Sequence, residues 1–96
     1  LDGDQPLAGA TVVNLSPAFA DEYGIDPFLE GVFIYGIVRG SPANRLRFHA
    51  GDVIKAVNGK NVPTVQRLVS EMRKPADRWR IAVSRGGKVR EMVINR

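Results

Sequence analysis

The longest apolar stretch in the chain is Gly31-Val32-Phe33-Ile34-Tyr35-Gly36-Ile37-Val38, eight residues. Eight residues suit one strand and fall far short of the roughly 20 that a membrane-spanning helix needs. The stretch is rich in Val, Ile, Phe and Tyr, which predicts a buried strand. Breakers recur at similar intervals elsewhere, so the chain can build only short elements. A β-prone run through Thr11, Val12 and Val13 ends near Leu15. Ser16-Pro17 then reads as a helix start, Ser16 as N-cap and Pro17 in the first turn, with Gly24 as the stop. Asp26-Pro27 opens a loop. Gly40-Ser41-Pro42 repeats the start signal for a short helix to about Leu46.

A strand is expected over residues 52–57, closed by the turn signal Asn58-Gly59. Thr64 caps the main helix, whose apolar residues Val65, Leu68, Val69 and Met72 fall on one face, and Pro75 ends it. Trp79, Ile81 and Val83 alternate with mostly polar neighbours, Gly86-Gly87 turns, and residues 89–94 return as a hairpin partner. The sum is an α+β domain of five to six short strands with one main helix and two short ones.

With 96 residues, 44% of them hydrophobic and 25% charged, the chain has the size and composition of one globular domain. It has no Cys, which excludes disulfides, thiolate nucleophiles and cysteine-based zinc sites. Asp2 and Asp4 stand where a secretory leader would carry basic residues, so no leader is expected in this stretch. Charge is unevenly spread: residues 1–38 hold six acids and no base, whereas residues 39–96 hold 14 bases and four acids. Such a split can mark an anionic partner. Aromatic residues are sparse among the bases and no basic helix stripe occurs, which argues against nucleic acid.

Catalytic machinery is not legible. His49, the only histidine, would have to serve any Ser/His/Asp scheme, yet it sits in a turn beside Gly51 and Asp52 with no nucleophile elbow anywhere. Gly59-Lys60 is followed by Asn61 where a phosphate loop needs Ser or Thr. One histidine cannot assemble a zinc site unaided. No cofactor or metal is expected.

The residues 31–38, then Gly40-Ser41-Pro42-Ala43, then Gly51-Asp52-Val53-Ile54-Lys55-Ala56-Val57-Asn58-Gly59 resemble the central stretch of a PDZ domain. The order strand, Gly-Ser-Pro-Ala helix, Gly-Asp-Val-Ile strand, Asn-Gly turn and groove helix covers nearly the whole chain, leaving residues 1–6 as a linker. The opening Leu7-Ala8-Gly9-Ala10-Thr11-Val12-Val13-Asn14-Leu15-Ser16-Pro17-Ala18 resembles, more narrowly, the PDZ domains of bacterial HtrA/Deg serine proteases. The resemblance implies a partly open barrel or sandwich that is not itself an enzyme. It further implies a module recruiting C-terminal or unfolded apolar segments to an attached serine protease, in the periplasm or envelope, beside the parent's other domains.

The physics is strand addition: an extended peptide joins a free strand edge beside a helix. Ala8, Gly9 and Ala10 are expected to aim N–H groups at a terminal carboxylate. Leu7, Thr11, Val12, Val65, Leu68, Val69 and Met72 are expected to line the groove, although any helix packed on a sheet shows the same apolar spacing, and Leu68 is the residue expected to turn inward. Two positions depart from the family. Ala8 and Ala10 flank Gly9 where larger apolar residues are usual, which predicts a wider or shallower terminal pocket. Arg47 stands where the short helix usually ends in Gly, and a left-handed backbone there would be strained by roughly 1 kcal/mol. Two alternatives stay open: a groove filled by the protein's own chain, and binding of an anionic polymer through the basic half.

Overall fold

The computed structural model describes residues 1, 5–25, 29–74 and 76–95; Asp26-Pro27 and Pro75 lie outside the described residues. Nine elements follow in order: β1 (Ala10–Asn14), α1 (Pro17–Glu22), β2 (Val32–Ile37), α2 (Pro42–Arg45), β3 (Val53–Val57), β4 (Lys60–Asn61), α3 (Val65–Met72), β5 (Arg78–Arg85) and β6 (Lys88–Asn95). All strand pairings are antiparallel, in the order β1-β2-β3-β5-β6, with β4 paired to β3. The sheet does not close, because β1 and β6 end it on either side. The α+β reading from sequence agrees, with β4 as the one unforeseen strand.

Local chemistry explains each helix start. Ser16, Ser41 and Thr64 adopt extended backbone and their hydroxyls accept from the N–H groups of Phe19, Asn44 and Arg67 at 3.2, 3.3 and 3.2 Å. Each bond satisfies one of the unpaired amides at a helix N-terminus. Pro17 and Pro42 follow the first two caps, where a missing N–H costs nothing. Both hairpin turns place two consecutive residues at positive φ, Asn58 and Gly59 in one, Gly86 and Gly87 in the other, matching the twist of the flanking strands. Arg47 is left-handed at φ +70°, as its position implied.

The core lies between the sheet and α3. Ile34, Ile54, Val57, Leu68 and Ile81 are completely buried there, and Phe48 reaches in from the α2–β3 loop at 1% exposure. Helix α1 is held on β2 by aromatic contact: Phe19 meets Phe33 edge-on at 4.9 Å and stacks on Tyr23 at 4.5 Å.

One polar group is buried at the start of β3. Asp52 is 1% exposed, its two carboxylate oxygens take Nε and Nη2 of Arg85, each at 2.8 Å, and Oδ2 also accepts the His49 N–H at 3.0 Å. Arg85 reaches on to the Arg47 carbonyl at 3.0 Å, so one fork ties β5, the α2–β3 loop and β3 together. Removing one member of such a pair leaves the other uncompensated. Asp52→Ala is therefore expected to destabilise the domain by about 3 kcal/mol in urea denaturation; a loss under about 1 kcal/mol would mean the fork is ornamental.

Glu71, on α3, is also buried, and its carboxylate accepts Lys74 Nζ at 3.0 Å. That hydrogen bond lowers the Glu71 pKa from its usual 4.5, against the opposing effect of burial. The folded carboxyl is the stronger acid, so its contribution is present above pH 4.5 and is lost as pH falls through the folded value. Lys74 is half-exposed, so the effect is modest. The stability gap between wild type and Glu71→Gln is expected to narrow as pH drops below 4.5; a gap constant down to pH 2 contradicts this.

Candidate functional site

Strand β1 has β2 on one side and no strand on the other, and α3 runs alongside it. Asn14, the last residue of β1, ties the two at one end by accepting the Val65 N–H on its side-chain oxygen at 2.7 Å. Between them runs the edge of β1 that no strand covers among the described residues, where the sequence places the groove. Val12, Val65 and Val69 are half-buried along it, and Thr11 is exposed.

At the opposite end Val69 and Met72 meet Leu1, Gln5 and Arg73 around a pocket of about 200 Å³. Met72 is 5% exposed and belongs both to the core and to this pocket. Leu7 and Leu68 are fully buried. Both belong to the core cluster, so their side chains pack beneath the groove and do not line its exposed wall, contrary to the expectation for Leu7. For Leu68 this is the inward role its position had suggested.

The 7–10 loop is tightly clamped. The Ala10 N–H donates to the Leu7 carbonyl at 3.0 Å and the Ala8 N–H to the Gln5 carbonyl at 3.1 Å, while the Leu7 N–H donates to the Gln5 side-chain oxygen at 2.7 Å. From outside, the Val38 N–H donates to the Gly9 carbonyl at 2.9 Å and the Ala43 N–H to the Ala8 carbonyl at 3.1 Å. The Gly9 N–H donates to the Leu1 carbonyl at 2.7 Å, and the Leu1 nitrogen donates to Ala10 O. The three amides expected to face a ligand thus donate within the chain, those of Ala8 and Gly9 to residues of the expected linker and that of Ala10 to Leu7 in the loop itself. Ala8 and Ala10 are themselves buried, at 6% and 1% exposure.

Gly9 is the position that cannot be anything else. Its φ is +95°, and a Cβ there would lie 2.2 Å from the Ser41 Cβ and 2.3 Å from its Oγ. The loop can approach α2 only without a side chain.

Arg73 is the residue that sequence reasoning missed. It follows Val65 and Val69 at four-residue steps, so it shares their face of α3 and puts a guanidinium at the terminal pocket. The apolar stripe stopped at Met72, and a search for apolar periodicity passes over a cation on the same line. Gln5 was missed because its role depends on a turn, not on a period. Among the described residues no cluster of His, Cys, Asp or Glu could hold a metal ion.

Gly9→Ala is expected to destabilise the domain by about 1–3 kcal/mol, through left-handed strain plus the contact with Ser41. Thermal melts that show equal midpoints for the variant and wild type would refute the clamp as described.

Comparison with known proteins gives the same picture. The chain is 29% identical over 87 residues to a probable periplasmic serine endoprotease DegP-like of Chlamydia muridarum (strain MoPn / Nigg). That match covers 90% of this chain and only 18% of the relative, so the chain spans about a fifth of the curated protein it matches. Among solved structures, the HtrA3 PDZ domain bound to a phage-derived ligand (FGRWV) superposes with a TM-score of 0.77 at 22% identity, covering 91% of this chain and 80% of that one. The HtrA-type protease AlgW with a decapeptide superposes equally, TM-score 0.77 at 25% identity, covering 91% of this chain and 27% of that one. Residues 6–95 match the PDZ domain family, and the chain belongs to it.

Proposed function

We propose that this domain is a peptide-binding module that takes an extended C-terminal or unfolded apolar segment as an added strand on β1, against α3. The observation that supports this most directly is that, among the described residues, no strand covers the β1 edge beside Val12, Val65 and Val69, since such an edge supplies backbone partners beyond Ala10 and the half-buried side chains supply apolar contact. Two structures of the same fold, from HtrA-type proteins, carry peptides.

Residues 1–96 form one unit of a longer chain, whose parent is a serine endopeptidase of the HtrA type, and the domain recruits substrates to it. A DegP-like periplasmic relative supports that parentage and a periplasmic setting. Among the described residues no helix is long and apolar enough to cross a membrane. The domain has no catalytic role, and its remaining partners are the parent's other domains.

Binding at the closed end is an exchange. A peptide carboxylate that takes the Gly9 N–H must displace the Leu1 carbonyl, and one that enters the terminal pocket must move Leu1 away from Met72. Arg73 then supplies a cation beside the incoming carboxylate. Each displaced bond offsets part of the gain, so affinity is expected to be on the order of micromolar or weaker.

The test is a fluorescence titration with apolar-ended peptides, as free acid and as C-terminal amide. The acid is expected to bind, and the amide to bind roughly tenfold more weakly. Absence of binding at millimolar peptide rejects strand addition, whereas equal binding of the two forms rejects carboxylate capture alone. Val69→Glu places a charge on the groove wall and is expected to weaken the acid form by at least about tenfold while leaving the thermal midpoint within a few degrees, because Val69 is only half-buried.

A further inference from the structure

A second cleft lies on the β5–β6 side of the sheet, across it from β1. The loop after α2 meets β5 and β6 around a space of about 350 Å³. Its apolar lining is Leu46, Val83 and Met92, and its polar lining is His49 and three arginines, Arg47, Arg85 and Arg90. This volume lies at the small end of the range for small-molecule sites, and an apolar lining with a few convergent polar groups is their usual composition.

The three arginines are not equivalent. Arg85 is committed to Asp52 and to the Arg47 carbonyl, so it forms a fixed wall. Among the described residues, the guanidinium groups of Arg47 and Arg90 make no hydrogen bond or ion pair. Arg47 also holds a left-handed backbone, φ +70°, which disfavours any residue with a Cβ. Backbone geometry there calls for glycine, so packing of the main chain does not account for a long cationic side chain at this point. Strain of this kind is often retained where a side chain serves a ligand.

A guanidinium matches the planar fork of a carboxylate better than a point charge does, and Arg47 and Arg90 both line this cleft. The apolar lining of Leu46, Val83 and Met92 suits an aliphatic tail. We propose that this cleft binds a small amphiphilic carboxylate, its head between Arg47 and Arg90 and its tail against Leu46, Val83 and Met92. The site is separate from the β1–α3 groove and uses no strand edge, so it stands or falls independently of peptide binding.

An NMR titration of the labelled domain with octanoate tests this, with 1-octanol and acetate as the tail-only and head-only arms. Octanoate is expected to shift the amides of residues 46–49, 83–85 and 90–92 with saturation on the order of millimolar, and the other two probes to bind at least about tenfold more weakly. Arg90→Gln is expected to weaken octanoate by at least about tenfold. Arg47→Gly is expected to weaken it similarly while the thermal midpoint holds or rises, since glycine relieves the left-handed position; this separates lost binding from lost folding. The proposal is overturned by unshifted cleft amides, by 1-octanol or acetate matching octanoate, or by either variant binding octanoate as wild type does.

Discussion

The Asp52 carboxylate is the joint on which the molecule turns. It sits at the mouth of β3, the strand that pairs with β2, β4 and β5 alike. Arg85 grips it from β5, His49 caps it from the preceding loop, and the Asp52 carbonyl accepts the Ile34 N–H from β2 at 2.9 Å. A buried carboxylate is tolerable only when charge and hydrogen bonds compensate its lost hydration, and here both do. The start of β3, the end of β5 and the turn at Arg47 are tied together through this carboxylate and the arginine it holds.

The groove inherits its position from that frame. Once β2 is fixed, β1 lies on its outer side, and Val38 and Ala43 fix the loop around Gly9 by its carbonyls. The Ala8 and Gly9 carbonyls are thus used by the body of the domain, and their N–H groups by residues before the loop. This division matters for recognition. Carbonyls held from behind make the loop rigid, whereas amides paired to Leu1 and Gln5 have partners that a competing oxygen can replace. The geometry is prepared and the donors are occupied, so the proposed carboxylate must compete with the chain's own oxygens.

Much of this was legible in the sequence, for local reasons. Ser16-Pro17, Ser41-Pro42 and Thr64 announce helix starts because capping is a contact within three residues. Asn58-Gly59 and Gly86-Gly87 announce turns because few residues tolerate positive φ. Strand β4 escaped notice, since two residues carry no period. Leu68 shares one apolar stripe with Val65, Val69 and Met72 whether a helix covers core or ligand, and only burial divides them. The Asp52–Arg85 fork joins residues 33 positions apart, and nothing local in either residue points to the other. The same holds for the hold of Leu1 on Gly9, which arises only when the chain folds back.

One irregularity in the β1–β2 ladder bears on how the rim behaves. Thr11 faces Gly36 but Val12 faces Ile34, so β2 carries an extra residue, Tyr35, which is 57% exposed. Such an insertion bends the strands and sharpens their twist. A long straight border invites neighbouring molecules to zip on and propagate into aggregates. The kink at Tyr35 leaves β1 only a few residues of straight backbone, enough for the tail of a guest and too little to seed a growing sheet.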